Sequence, residues 1–266
     1  MSELLAPAKL NLALVVGPKR PDGRHEVATV LQRITLADTV SLGPADELEV
    51  LGFREDTLVR RALELLAARV GVEPRWRATI DKRIPVAAGL GGGSSDAAAA
   101  LRLANDSLGG RLSDDDLHGL GATLGADVPF FLTDGPQVGE GDGTQLRPVD
   151  LPRDHWIVVV VPHGAEKSST AAVYEEFDRR GGQDGFDERR AELRRALVLG
   201  SLAALPENDL ASSPLAAELR ERGAFRADVT GAGPAVYALF AEEADAVNAA
   251  AWLRGRGEVW VTTPGW

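Results

Sequence analysis

Residues 85–101, PVAAGLGGGSSDAAAAL, set four glycines and two serines directly ahead of an alanine-rich helical pattern. Such a string can only be a tight loop that feeds a helix. Glycines 89, 91, 92 and 93 permit positive-φ backbone and close approach to a ligand, and Ser94 or Ser95 is placed to cap the helix. Ala97, Leu101, Ala104 and Leu108 share one face among residues of high helical propensity, so a core-facing helix is expected. Its N-terminus would aim unpaired N–H groups and the positive end of the helix dipole at the loop. Pro85, Val86, Ala87, Ala88, Gly89, Leu90, Gly91, Gly92, Gly93, Ser94 and Ser95 are therefore expected to cradle phosphate. No lysine precedes Ser94, so this is not the GxxxxGK[ST] loop, and Ser94 at the sixth position of a GxGxxG fits a dinucleotide loop poorly. For the glycines alone, a tight turn before a core helix is the alternative.

At 266 residues the chain is long enough for one large domain or two modest ones. The absence of cysteine excludes a disulfide framework and thiolate chemistry. The start MSELLAPAKLNLAL has an early acid, and Lys9 and Asn11 break its apolar stretch. Neither a signal peptide nor a membrane span is expected, and the cytoplasm is the expected location. A formal net charge of -11 argues against general nucleic-acid binding. It also means that any phosphate site must rely on local dipoles, a few lysines and a metal. No feature specifies an oligomeric state.

Leu10, Leu12, Leu14 and Val16 alternate with Lys9, Asn11, Ala13 and Val15, the period of a half-buried strand with Lys9 and Asn11 on one face. A turn at 21–23 follows, then strands at 27–36, 40–42 and 48–53, a helix at 57–70, a strand at 76–80, the glycine loop with its helix, and a helix at 113–124 begun by Ser113 and ended by Gly125. The pattern resets near residue 150, with a linker at 151–154 and an apolar strand at 156–161. Helices at 170–180, 187–199 and 214–222 precede strand 226–230, strand 235–240, helix 242–254 and strand 258–262. The fold class is α+β in two lobes. Taken singly, Lys9 reads as surface, Asp127 as a helix cap, His25 as solvated polar surface, and Gly231 with Gly233 as a tight hairpin.

Together these strings resemble the GHMP kinases, small-molecule kinases named for galactose, homoserine, mevalonate and phosphomevalonate. The glycine loop is common to the family. Ala6-Pro7-Ala8-Lys9-Leu10-Asn11-Leu12, Asp22-Gly23-Arg24-His25, Leu124-Gly125-Ala126-Asp127-Val128-Pro129-Phe130-Phe131, Asn208-Asp209-Leu210 and Thr230-Gly231-Ala232-Gly233-Pro234 are more specific and follow family order across nearly the whole chain. The resemblance implies an N-terminal nucleotide-binding lobe at 1–150 and a C-terminal ferredoxin-like lobe with an antiparallel sheet at 151–266. It implies ATP as co-substrate with Mg2+, and transfer of the γ-phosphoryl group to the 2-hydroxyl of the methylerythritol moiety of a CDP-linked substrate in isoprenoid precursor synthesis. Asp127 would be the base, Lys9 its partner, and Asn11 would orient the diol. His25 would read the cytosine edge, with Thr170 near the ring and the base lying between Arg24-His25 and Tyr174. Ser95 would be a magnesium ligand. Another GHMP small-molecule kinase and an inactive nucleotide-binding regulator are the alternatives.

Three positions depart from the family pattern. Arg24 stands where tyrosine is usual before the histidine, and Asp56-Thr57-Leu58 stands for Asp-Asn-Leu. Val138-Gly139-Glu140-Gly141-Asp142-Gly143 lacks the basic residue of an ARGxGE-like string.

Overall fold

The computed structural model describes residues 1–53, 57–165 and 169–265, with Thr57 described by its backbone alone; Asp56 and Ser168 lie outside the described residues. The elements run β1 (Ser2–Lys19), β2 (His25–Pro44), β3 (Glu49–Leu51), α1 (Thr57–Val70), β4 (Trp76–Asp81), α2 (Gly92–Ser107), α3 (Asp114–Leu124), α4 (Val128–Leu132), β5 (Gln137–Gly141) and β6 (Gln145–Pro148). They continue as β7 (Trp156–Pro162), α5 (Thr170–Arg179), α6 (Phe186–Val198), a 3₁₀ turn at Leu202–Ala204, α7 (Pro214–Glu221), β8 (Arg226–Val229), β9 (Val236–Phe240), α8 (Glu243–Trp252) and β10 (Gly257–Thr262). The fold is α+β, as expected.

Packing groups the chain into two compact units that are each discontinuous in sequence. One comprises Met1–Ala8, Leu36–Val86 and Gly91–Asp134; the other comprises Lys9–Thr35, Ala87–Leu90 and Gly135–Trp266. The sequence pattern resets near residue 150, but the packing does not follow that position. The long strands β1 and β2 pass through both units, so Lys9, Asn11, Arg24 and His25 pack with the C-terminal half.

In the first unit, β2 pairs antiparallel with β4, with Thr39 opposite Asp81, and β3 runs parallel to β4. Helix α2 packs on α1, α3 and α4. Its burial is not confined to the expected stripe: Ser95 to Leu101 and Leu103 to Asn105 are all buried. The run Ala97, Ala98, Ala99 and Ala100 explains this, because small side chains let neighbouring backbones approach on every side. Helix α3 carries the expected Ser113 cap as a full capping box with Asp116, and Gly125 follows its last turn.

In the second unit, the N-terminal half of β2 pairs antiparallel with β5, Val27 opposite Gly141, and β5 pairs with β6. The separate antiparallel sheet has the order β10-β7-β9-β8, the arrangement expected of a ferredoxin-like βαββαβ unit. Val158, Val160, Leu219, Val236, Phe240 and Leu253 join this sheet to α7 and α8 in one apolar core. Strand β1 is not half-buried as its alternation suggests. Both faces are covered from Ala8 to Gly17, so Lys9 and Asn11 are buried rather than solvated.

Arg226 is the polar centre of this second core. Its guanidinium donates to the carbonyls of Leu205 (2.6 Å) and Pro206 (2.8 Å) and to the Tyr237 hydroxyl (2.8 Å), which in turn donates to Leu12 O (2.9 Å). Burial pushes the Tyr237 phenol up to about 12, so it stays a donor to β1 across the physiological range. Arg226→Met removes the charge but strands those acceptors and leaves Asp228, which burial pushes above the usual carboxylate range, without its neighbouring cation. A loss of about 3–5 kcal/mol is expected in urea unfolding. A change below about 1 kcal/mol would show that this network does not hold the sheet to the 3₁₀ turn.

Candidate active site

The glycine loop uses its special backbone at fewer positions than its composition suggests. Ala87 (φ 65°), Gly89 (φ 86°) and Gly91 (φ 71°) are left-handed, whereas Gly92 and Gly93 already lie in the first turn of α2. Alanine at such a φ costs about 1–2 kcal/mol, so the segment is held in place by its surroundings. Within the second unit, Lys9 N–H donates to Leu90 O (2.9 Å) and Ala235 N–H donates to Ala88 O (3.0 Å). Between these two bonds the backbone passes so close to the turn after β8 that a Cβ on Gly89 would lie 2.4 Å from Thr230 O.

Ser94 and Ser95 do not cap α2, which corrects the expectation from sequence. The helix starts two residues earlier, and its N-cap is Gly91 with no side-chain hydrogen bond. Its first-turn amides therefore have no capping side chain, the condition under which a helix N-terminus takes an anion. Ser95 is buried, and its hydroxyl has no hydrogen-bond partner among the described residues.

A buried ionic cluster that sequence reasoning missed ties the two ends of this loop within the first unit. Lys82, just past β4, donates through Nζ to Asp38 (2.5 Å) and to Asp96 (2.7 Å) in the first turns of α2, and both carboxylates are fully buried. Asp38 also accepts from the N–H groups of Arg83 and Ile84 (2.8 Å for Ile84). Burial pulls the Lys82 ammonium down, and the two carboxylates more than offset this, leaving it raised. The signal in the sequence was Asp96, an acid inside an otherwise small and apolar helix start.

Lys9 and Asn11 share a strand face as expected, and Lys9 Nζ donates to Asn11 Oδ1. Asn11 Nδ2 donates to the Thr29 hydroxyl (2.8 Å), which donates to Ala13 O (2.7 Å). Asn11 N–H donates to the Thr230 hydroxyl (2.9 Å), so the main chain is tied to the turn while the side chain is held by Lys9 and Thr29. Asn208 holds the turn that carries Thr230: its amide donates to Val229 O (2.9 Å) and Gly231 O (2.7 Å). The glycine pair after β8 thus makes a hairpin turn that also abuts the ammonium, since a Cβ on Gly231 would lie 3.4 Å from Lys9 Nζ. Asp127, in the other unit, occupies the N-cap position of α4, but its side chain makes no capping hydrogen bond.

His25 is buried rather than solvated. Its ring stacks on Tyr174 at 4.8 Å between centroids and 26° between planes, meets the edge of Phe177, and bonds through Nε2 to Asp178 Oδ1 (2.7 Å). A base inserted between His25 and Tyr174 would need roughly twice that spacing. The expectation places the base between the Arg24-His25 segment and Tyr174, and in the protein the His25 ring itself lies directly on Tyr174. Thr170, one turn before Tyr174 on α5, is exposed. Two of the family departures meet: exposed Arg24 donates to Asp142 in the β5–β6 hairpin. Although burial raises it, hydrogen bonds from Thr144 and Arg24 hold the Asp142 carboxyl below its usual range. Glu140 in the same string accepts from Arg147 and Arg194.

The left-handed Ala87 and Gly89 and the buried Lys–Asn pair belong to the second unit, and the uncapped start of α2 belongs to the first. The chain belongs to the GHMP kinases: their N-terminal domain family matches residues 57–135 and their C-terminal family matches residues 187–258. It is 41% identical to the 4-diphosphocytidyl-2-C-methyl-D-erythritol kinase of Rhodococcus jostii (strain RHA1), over 95% of this chain and 88% of the relative. It is 38% identical to the enzyme of that name from Geobacter sulfurreducens (strain ATCC 51573 / DSM 12127 / PCA), over 95% of both. A crystal structure of 4-(cytidine 5'-diphospho)-2C-methyl-D-erythritol kinase superposes with a TM-score of 0.83 at 32% identity, covering all of both chains. The mevalonate kinase of Methanococcus jannaschii, with a TM-score of 0.81 at 16% identity over 100% of this chain and 98% of that one, shares the fold.

Gly89→Ala should displace the loop, because its Cβ would meet Thr230 O and its φ of +86° disfavours a side chain. ATP affinity measured by calorimetry is expected to fall by about tenfold or more. Unchanged affinity would remove the 87–90 segment from the nucleotide site.

Proposed function

We propose that this chain transfers the γ-phosphoryl group of ATP to the 2-hydroxyl of 4-diphosphocytidyl-2-C-methyl-D-erythritol. The observation that carries this reading is whole-chain identity of 38–41% to kinases of that name, with Lys9, Asn11 and the 85–95 loop set as described. We place the activity in the cytoplasm, with no nucleic-acid or membrane partner. Among the described residues no helix is long and apolar enough to cross a membrane.

In the proposed mechanism the hydroxyl oxygen forms a bond to Pγ while the bond from Pγ to the β-bridging oxygen breaks, releasing ADP. Asp127 accepts the hydroxyl proton. Lys9 supplies positive charge to the developing alkoxide, and Asn11, its side chain held by Lys9 and Thr29 and its backbone by Thr230, orients the diol. The amides of the loop and of the uncapped α2 start surround the phosphates. Mg2+ would lower the charge on the phosphate oxygens. The orphaned Ser95 hydroxyl fits as one protein ligand. Among the described residues no group of three His, Cys, Asp or Glu side chains is set for a metal, so phosphate oxygens and water would supply the other ligands.

His25 would read the cytosine edge. A pyrimidine bonded edge-on to the imidazole shares its plane and so lies over the same face of Tyr174, with Arg24 and Thr170 at the border of this surface. Stacking of this kind is worth about 1–3 kcal/mol, so Tyr174→Ala is expected to raise the KM for the cytidine substrate about tenfold with ATP affinity nearly unchanged.

ADP release should be rapid with the CDP-methylerythritol substrate and near background with homoserine or mevalonate; the opposite preference would assign the chain to another branch of the family. Asp127→Asn should lower kcat by about a thousandfold or more while ATP still binds. Near-normal turnover would remove Asp127 as the base.

A further inference from the structure

We propose that Asp178 is a positioning residue that fixes the tautomer of His25, so that the imidazole offers an unprotonated Nδ1 to the amino edge of the pyrimidine and selects cytosine over uracil. The inference rests on the reading in which His25 faces the base.

Helix α5 grips the imidazole with three side chains spaced one turn apart. Tyr174 covers one face, Phe177 meets the edge at 88°, and Asp178 takes Nε2. Positions i, i+3 and i+4 of a helix lie on one side, so a single short element sets the plane, the rotation and the protonation of the ring. The histidine side chain is 6% exposed and the aspartate 41%, so the pair joins a buried ring to a carboxylate at the solvent border.

A neutral imidazole has one N–H and one lone pair, and an ionised carboxylate only accepts. Asp178 therefore requires the proton on Nε2 and leaves Nδ1 as an acceptor. Nδ1 has no protein hydrogen bond among the described residues. Cytosine presents an amino donor at C4 where uracil presents a carbonyl acceptor. An acceptor at Nδ1 bonds the first and sets lone pair against lone pair with the second. A site built in this way rejects the mismatched base because its own polar group goes unpaired. Nothing in the Asp-Gly-Arg-His string signals this, since the selecting residue lies 153 positions downstream.

The test uses the full chain as wild type, Asp178→Ala and Asp178→Asn, the last nearly isosteric so that the helix surface keeps its shape. ¹⁵N spectra of histidine-labelled protein report the His25 tautomer, and steady-state kinetics compare the CDP-linked substrate with its UDP-linked counterpart. The wild type should show Nε2–H and prefer the cytidine substrate. Asp178→Ala should raise the KM for the cytidine substrate about tenfold, keep the KM for ATP within about twofold, and cut the cytidine-to-uridine ratio of kcat/KM about tenfold. Asp178→Asn, whose amide can donate to Nε2, should move the proton to Nδ1 and shift preference towards uridine. A wild-type Nδ1–H tautomer, or Asp178→Ala with unchanged KM and ratio in an active enzyme, overturns the inference alone. A wild type that leaves the cytidine substrate unphosphorylated overturns the functional reading and this inference with it.

Discussion

Two backbone hydrogen bonds organise the second unit of this kinase around its glycine loop: Lys9 N–H to Leu90 O and Ala235 N–H to Ala88 O. They fasten the glycine loop to the first strand on one side and to the turn after β8 on the other. Main-chain groups make these contacts, so they demand no particular side chains at their ends. They do demand that nothing protrude between them, and that is the requirement Gly89 meets. The same turn fixes Asn11 through the Thr230 hydroxyl, and Asn11 accepts from Lys9. Glycine loop, lysine and asparagine therefore share one support.

Local signals were legible in the sequence wherever the residue and its partner lie within a few positions. The Ser113 cap and the shared face of Lys9 and Asn11 could be read from spacing, whereas the antiparallel C-terminal sheet followed from the family resemblance. Less could be read where the partner is remote. His25 looks like solvated surface beside a turn until α5 covers it, and β1 alternates like a half-buried strand although both of its faces are packed. The β5–β6 hairpin escaped because glycine and charge dominate 137–148, where the pairing partners supply the apolar cover. The serines after the glycines match a capping pattern, yet Gly91 ends the loop first.

A chain of net charge -11 that handles a nucleotide must manage repulsion locally. Part of its acidity is neutralised internally. Asp38 and Asp96 hold Lys82, Asp142 holds Arg24, and Glu140 holds Arg147 and Arg194. The buried Lys82 cluster contributes little net stability against an apolar alternative, but removing one partner is costly, whereas the arginines of the other pairs are exposed and screened by solvent. The Lys82 cluster fixes geometry at the two ends of the loop, and the Arg24–Asp142 pair sits next to His25 in the chain. The start of α2 is left without a capping carboxylate.

The interleaving of the two units has a consequence for how the molecule is made. The segment Lys9–Thr35 is translated well before the strands β7 to β10 of its unit, which follow only after residue 155. During synthesis the earliest strands wait, with Leu10, Leu12 and Val16 lacking the partners that later bury them. Contacts of such long sequence separation slow folding and lengthen the exposure of apolar strand. For this kinase, the turn after β8 is translated long after the 87–90 loop it packs against, and a chain interrupted between them carries the loop without the turn that shapes it.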